Sequence, residues 1–224
     1  MGHLFEVCTG SLQSVEAAVR GGAQRIELCA VLPLDGLTPS MGTLLTVKQF
    51  FPTLTVHVLI RPREGDFVYS EKEVMAMQHD IHAMLPLADG FVFGALTPDG
   101  SIDMPVMRQL IGAAEGKPVT FHRAFDHCRD PFEALEQIIS LGCRRILTSG
   151  QQPTAEQGIP LLRQLCTQAG SHIIIMPGGG INEHNVRPIA EQTGVTELHG
   201  SASGSKGTTQ SESVRKILGL LEKL

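Results

Sequence analysis

Two short stretches of the chain repeat one chemical pattern. Glu6-Val7-Cys8 and Glu27-Leu28-Cys29 each set a carboxylate two residues before a thiol. On an extended strand that spacing puts both groups on one face. Two histidines have comparable settings, His122 in FHRAFD (121–126) and His199 in ELHGSA (197–202). Neighbouring thiolates with imidazoles nearby form a soft-metal site, for Cu(I) in particular, with Zn(II) open as well. Cys8 and Cys29 are the candidate metal ligands. The competing reading is packing, because buried free cysteines behave as small hydrophobes. Neither a C-x-x-C nor an H-x-x-x-H spacing is present to decide between the two. His122 and His199 also titrate near neutrality, so either one, with Glu27, is a candidate general acid or base.

A second group of residues suits an anion. MPGGGI (176–181) and HGSASGS (199–205) bring glycines to two successive turns, where backbone N–H groups can approach a phosphate or carboxylate. Gly178, Gly179, Gly180 and Ser201 are the expected lining. Arg61 and Arg63 in IRPREGDF (60–67) could fork onto the same anion. Arg123 could do likewise, or it could simply pair with Asp126. Cys128 is a possible third sulfur or an ordinary loop residue, whereas Cys143 and Cys166 read as packing. A Schiff base is not expected, since no lysine ends a strand.

These residues fall on a regular framework. Apolar runs of strand length occur at 4–9, 25–30, 55–61, 90–95, 118–124, 144–149, 172–177 and 197–202. Helical patterns lie between them at 12–21, 40–51, 71–87, 104–115, 131–141, 154–169, 183–192 and 211–223. Ser11, Ser40, Ser70, Asp103, Asp130 and Ser211 stand as N-caps, with Pro105 and Pro131 in first turns. Gly21-Gly22, Gly116, Gly142 and Gly170 close helices. Eight such units without a break in composition predict one α/β domain over residues 1–224, a closed (β/α)8 TIM barrel with short loops. An open doubly wound sheet is the alternative. It draws no support from the first turn, where CTGSLQS (8–14) replaces a dinucleotide-binding glycine fingerprint.

The barrel predicts where each side chain points. Phe5, Val7, Ile26, Leu28, Val56, Val58, Ile60, Val119 and Phe121 should face the helices. Glu6, Cys8, Arg25, Glu27, Cys29, His57, Arg61, Thr120, His122, Glu197, His199 and Ser201 should then face the lumen. Barrel interiors are ordinarily apolar, and buried carboxylates must be paired, hydrogen-bonded or bound to a cation. For Glu6, Glu27 and His57, deeper in the ring, pairing with Arg25 or Arg61 is the plain explanation. At the C-terminal strand ends, where this fold keeps its active sites, Cys8, Cys29, His122, His199 and Ser201 point to function.

Composition narrows the partners. The chain has 224 residues, 42% of them hydrophobic, with a net charge of −5, no Trp and one Tyr. Neither a basic footprint nor a stacking platform for nucleic acid is present. No apolar run spans a bilayer and no leader sequence is visible. Five cysteines, an odd number, suggest free thiols in a reducing cytoplasm.

With these residues in view, the chain resembles the CutC family of copper homeostasis proteins. The likeness runs through EVC (6–8), GGAQRIELC (21–29), GLTPS (36–40), IRPR (60–63), GDF (65–67), VTFHRAFD (119–126), RILTSG (145–150) and PGGGI (177–181). It implies a (β/α)8 barrel, a cytoplasmic place and a role in copper handling, with Cys8 and Cys29 matching the family's proposed copper cysteines. Glu64 departs from the family's usual RPRGGDF, and SGSKGTTQ (203–210) is a shorter tract than relatives carry. Three functions remain in play: a Cu(I)-binding protein, an enzyme on a small anionic or phosphorylated metabolite, and a non-catalytic scaffold. A homo-oligomer suits all three.

Overall fold

The computed structural model describes residues 2–204 and 207–224. Ser205 and Lys206, within the short tract after the last strand, lie outside the described residues.

Eight strands and eight helices alternate along the chain. The first half runs β1 (Leu4–Thr9), α1 (Leu12–Gly21), β2 (Arg25–Leu28), α2 (Met41–Phe50), β3 (Thr55–Leu59), α3 (Glu71–Met84), β4 (Gly90–Phe93) and α4 (Met104–Ala113). The second runs β5 (Val119–Phe121), α5 (Pro131–Ser140), β6 (Arg145–Thr148), α6 (Ile159–Ala169), β7 (Ile174–Pro177), α7 (Val186–Thr193), β8 (Glu197–Gly200) and α8 (Ser211–Leu221). Consecutive strands from β1 to β7 pair in parallel, and β1 pairs in parallel with β8. A parallel bridge between Gly178 and His199 brings the β7 end to β8 and completes the ring. This is the closed (β/α)8 barrel, and the open sheet is excluded.

Local chemistry sets the helix starts. The hydroxyl of Ser11 accepts from the Ser14 amide, Ser40 from Thr43, and Ser70 from Glu73 in a reciprocal capping box. Asp103 and Asp130 cap α4 and α5 behind the first-turn prolines. Several expected boundaries move. Helix α6 begins at Ile159 rather than 154 and α7 at Val186 rather than 183, while Gln210, not Ser211, precedes α8. Strand β5 ends at Phe121, because Arg123–His127 turn into a 3-10 helix capped by the His122 ring.

The alternation divides the interior in two. Phe5, Val7, Ile26, Val58, Phe91, Phe121, Ile146 and Leu198 sit in the apolar layer between sheet and helices. Inside the ring a small separate apolar cluster holds only Cys8, Cys29, Leu59 and Val92, with Leu32 against it. Below that cluster the lumen is ionic. Arg25 Nε lies 2.6 Å from Glu6 Oε2, and His57 Nδ1 lies 3.0 Å from the same oxygen. Neither contact is a well-aligned hydrogen bond, and the one from Arg25 is an ion pair. Arg25 also donates to Glu197, which Arg145 Nε reaches at 3.0 Å. Burial alone would raise Glu6, but the His57 contact and the Arg25 charge outweigh it and hold the carboxyl well below its ordinary range.

Candidate functional site

Above the ionic layer the strand ends deliver a different set of groups. Cys8 Sγ lies 3.8 Å from Cys29 Sγ and donates to Glu27 Oε1 at 3.3 Å. His199 Nε2 stands 3.5 Å from Glu27 Oε2 and 4.0 Å from Glu6 Oε1. One ligand atom each from Cys8, Glu27 and His199 lies within 4.8 Å of the other two, the one such trio among the described residues. Cys29 sits behind this trio and donates its thiol hydrogen to the Thr9 carbonyl at 3.5 Å. All five cysteines are free.

Position follows from register. Cys8 pairs with Glu27 across β1 and β2, and Glu6 pairs with His199 across β1 and β8. Three consecutive strands of the ring therefore aim one group each at a common point. Small residues opposite make the space. A side chain on Gly90 would meet the His57 ring at 2.7 Å, and one on Gly94 would meet the His122 ring at 2.8 Å. One on Gly178 would meet Leu147 at 2.4 Å and His199 at 3.3 Å. Glycine in these strands is thus a condition for imidazoles inside the barrel.

Electrostatics separates the two histidines. Burial opposes charge on His199, but the adjacent Glu27 and Glu6 carboxylates outweigh it and raise its pKa. Burial, then the Arg61 charge, push His122 down to about 3, so its ring is neutral. His122 Nδ1 accepts from the Ala124 amide at 3.3 Å, which assigns the proton to Nε2. The contact with Cys29, burial and the Glu27 charge together hold the Cys8 thiol well above the ordinary range.

A cavity of about 640 Å³ opens over the trio. Cys8, Glu27 and His199 line it together with His122, Arg61, Arg123, Gly179, Gly180 and Ser201. Leu32, Leu34, Leu59, Phe67, Leu147 and Ile181 give it an apolar middle, and Asp35 and Glu64 also border it.

The structure does not bring every expected residue here. Arg63 is directed elsewhere, donating to Glu73, Asp66 and the carbonyls of Glu64, Asp66 and Val68. Gly178 does not line the cavity, since its amide donates to the Thr148 carbonyl. Cys128 packs in the outer apolar layer, with burial pushing its thiol up to about 12, and supplies no third sulfur. Arg61 does border the cavity, but it donates to the carbonyls of Leu34, Gly36 and Gly65 and pairs with no carboxylate among the described residues. Arg123 pairs with Asp126 through Nε and still reaches the cavity. Arg145 was missed in the sequence, although its parity with Leu147 on β6 was available.

Residues 3–204 match the model of the CutC family. The chain belongs to the CutC family. It is 57% identical over 204 residues to a CutC family protein of Bacteroides thetaiotaomicron, covering 91% of this chain and 82% of that one. It is 52% identical over 206 residues to the copper homeostasis protein cutC homolog of Mus musculus, covering 92% and 75% respectively. The solved structure of the Streptococcus agalactiae CutC protein superposes with a TM-score of 0.85 at 34% identity, over 89% of this chain and 98% of that one. The CutC match stops at residue 204, before α8, although α8 completes the outer helical layer.

The donor set can be tested against the metal that these names suggest. Two thiolates sharing one ion through bonds of about 2.3 Å lie about 3.8 Å apart at a tetrahedral angle and about 4.6 Å apart in a straight line. The sulfurs of Cys8 and Cys29 stand at the bent value, 3.8 Å. That spacing is compatible with one soft ion and equally with a plain S–H···S contact, and the group of ligand atoms within 4.8 Å of one another comprises Cys8, Glu27 and His199 without Cys29.

Proposed function

We propose that this CutC family member binds Cu(I) in the reducing cytoplasm through Cys8 and Cys29, with His199 and Glu27 beside them, as part of copper homeostasis. The observation that carries the reading is the 3.8 Å spacing of two buried thiols at the C-terminal mouth of the barrel. The names of the relatives support the role, and thiolate with imidazole is the donor chemistry that Cu(I) prefers.

The residues around the thiols have definable tasks. Both cysteines must lose their protons to bind a metal, and Cys8 already donates to Glu27 Oε1 at 3.3 Å. Glu27 is thus placed to take that proton, with His199 across its other oxygen. Thr9 holds the Cys29 thiol in place through its carbonyl. Copper, when bound, would supply a soft cation that offsets one of the two thiolate charges in a buried site.

Competition of the purified protein with a chromophoric Cu(I) chelator tests the reading. Wild type should withdraw one Cu(I) per chain, and the Cys8→Ser/Cys29→Ser double variant should not. Equal Cu(I) retention by both would refute the assignment.

A further inference from the structure

Arg123 stands on the opposite side of the cavity from the acids. In the ring, β2 and β3 carry the loops with Asp35 and Glu64, whereas β5 to β8 carry Arg123, Ser149, Gly179, Gly180 and Ser201. We propose that this second wall binds the phosphate group of a small metabolite, whose remainder extends over the apolar middle towards Cys8, Glu27 and His199, whether or not a metal is present.

The wall is constructed rather than incidental. Arg123 donates Nε to Asp126 at 2.8 Å and Nη2 to the Ser149 hydroxyl at 3.0 Å. Asp126 in turn accepts from the Thr148 hydroxyl and from the amides of Ser149 and Gln151. These further donors fix the carboxylate, so the ion pair orients the guanidinium and leaves part of its donor fork free. Nη1 has no protein acceptor among the described residues. It lies close to the glycine turn, for a side chain on Gly179 would stand 3.6 Å from it. Gly179 and Gly180 have φ of 103° and 76°, the left-handed region in which glycine presents its backbone without strain. The Ser201 hydroxyl, 2.6 Å from that of Ser203, offers a further donor on the same side.

A second observation points the same way. Arg61 borders the cavity, is buried, and has no carboxylate within 4.0 Å among the described residues. Its Nε has no partner at all. Arg61 is held by three carbonyl oxygens and the face of the Phe67 ring, with no acid of its own, so an anionic ligand in the cavity would supply the missing counter-charge. The volume also speaks for more than an ion: about 640 Å³ is the size of an ordinary small-metabolite pocket. A fixed guanidinium fork, a glycine turn and a hydroxyl suit the three terminal oxygens of a phosphate better than a planar carboxylate.

Thermal-shift and ³¹P NMR titrations with inorganic phosphate, at constant ionic strength and with a metal chelator, test the proposal. Phosphate should stabilise wild type and the Cys8→Ser/Cys29→Ser variant alike. Arg123→Met should weaken phosphate binding by roughly tenfold or more, the loss of one charge-assisted contact. Arg129→Met, at an exposed pair with Asp99 outside the cavity, should leave it unchanged. If Arg123→Met does not fold, Arg123→Lys and Ser201→Ala carry the test, each expected to bind phosphate more weakly than wild type. Phosphate protecting no better than chloride, or binding equally to wild type and the folded Arg123 variants, would overturn the site. Acetate competing as well as phosphate would overturn the assignment to a phosphate-bearing ligand.

Discussion

The two halves of this lumen hold the same kinds of residue in opposite conditions. In the lower half Glu6, Glu197, Arg25 and Arg145 number two acids and two bases, and each finds its counter-charge within 3.0 Å. In the upper half Cys8, Glu27 and His199 meet at longer range, Arg61 has no acid, and Arg123 keeps an N–H in reserve. Both are buried, polar and inside the barrel. The difference is counter-charge rather than hydrogen bonding: both layers leave buried polar atoms without a hydrogen-bond partner, but the lower acids and bases neutralise one another, whereas Arg61 above has no acid beside it among the described residues. Buried charge alone therefore does not mark a functional site, but buried charge short of partners beneath a cavity does.

The comparison breaks first at Arg25. Its removal leaves Glu6 facing only His57 and, at 4.0 Å, His199 in a fully buried position, and removing one partner of a buried pair costs about 3–5 kcal/mol. Arg25→Met should lower the free energy of urea unfolding by that amount while Cu(I) retention per folded chain is unchanged. The double variant Arg25→Met/Glu6→Gln should recover part of the loss, because the orphaned charge has gone. A stability loss no greater than that of the Cys8→Ser/Cys29→Ser variant would mean that the lower plug is not the structural half.

Acid should expose the next difference. His122 is buried neutral with its pKa pushed down to about 3, against an ordinary value of 6.5. The unfolded chain binds a proton at this residue below about 6.5 and the folded chain does not. Stability from His122 is thus full above that pH and lost as pH falls towards 3. Between pH 7 and pH 5 the loss is about 2 kcal/mol by linkage. Glu6, also depressed, adds its own loss only below the ordinary carboxylate range, so the two windows separate. Urea unfolding at pH 7 and pH 5 measures the first. His122→Asn keeps an acceptor for the Ala124 amide and removes the titration, so its stability should change less over that interval. An equal decline in both proteins would locate the acid sensitivity elsewhere.

The legibility of this molecule in its sequence follows the same division. Periodicity decides which face a strand residue takes, because outward Phe5, Val7, Ile26 and Val58 leave Glu6, Cys8, Glu27 and His57 only the lumen. It also delivered Cys8 and His199 to one end of the ring, whereas Glu27, expected in the deeper layer, stands with them because it pairs in register with Cys8. Spacing does not reveal which residue binds which. Arg61 lies in phase with His57, yet it is held by carbonyls from three residues of two loops, and no alternation encodes such contacts. Cys29 keeps its parity but stands behind Cys8, since β2 ends one residue before it. Gly90, Gly94 and Gly178 hold a signal that can be read in retrospect: a glycine at or just beyond an inward strand position reserves volume for a large side chain on an adjacent strand.

Arg63 gives the mildest test and sharpens the boundary of the upper region. In sequence it is the twin of Arg61, two residues on, in the same basic loop. Its environment is the reverse: half-buried, with Asp66 and Glu73 as acid partners and three carbonyls besides. Solvent screens such pairs, so each is weak. Arg63→Gln should shift the unfolding midpoint less than either change above and should leave phosphate titrations unaltered. Arg61→Gln, by contrast, should disturb both, because it releases the loops after β2 and β3 and removes the uncompensated charge beneath the cavity. Were Arg63→Gln to abolish phosphate binding while Arg61→Gln did not, the loop would have to turn the other way in solution, and the anion wall would belong to β3 rather than to β5 and β7.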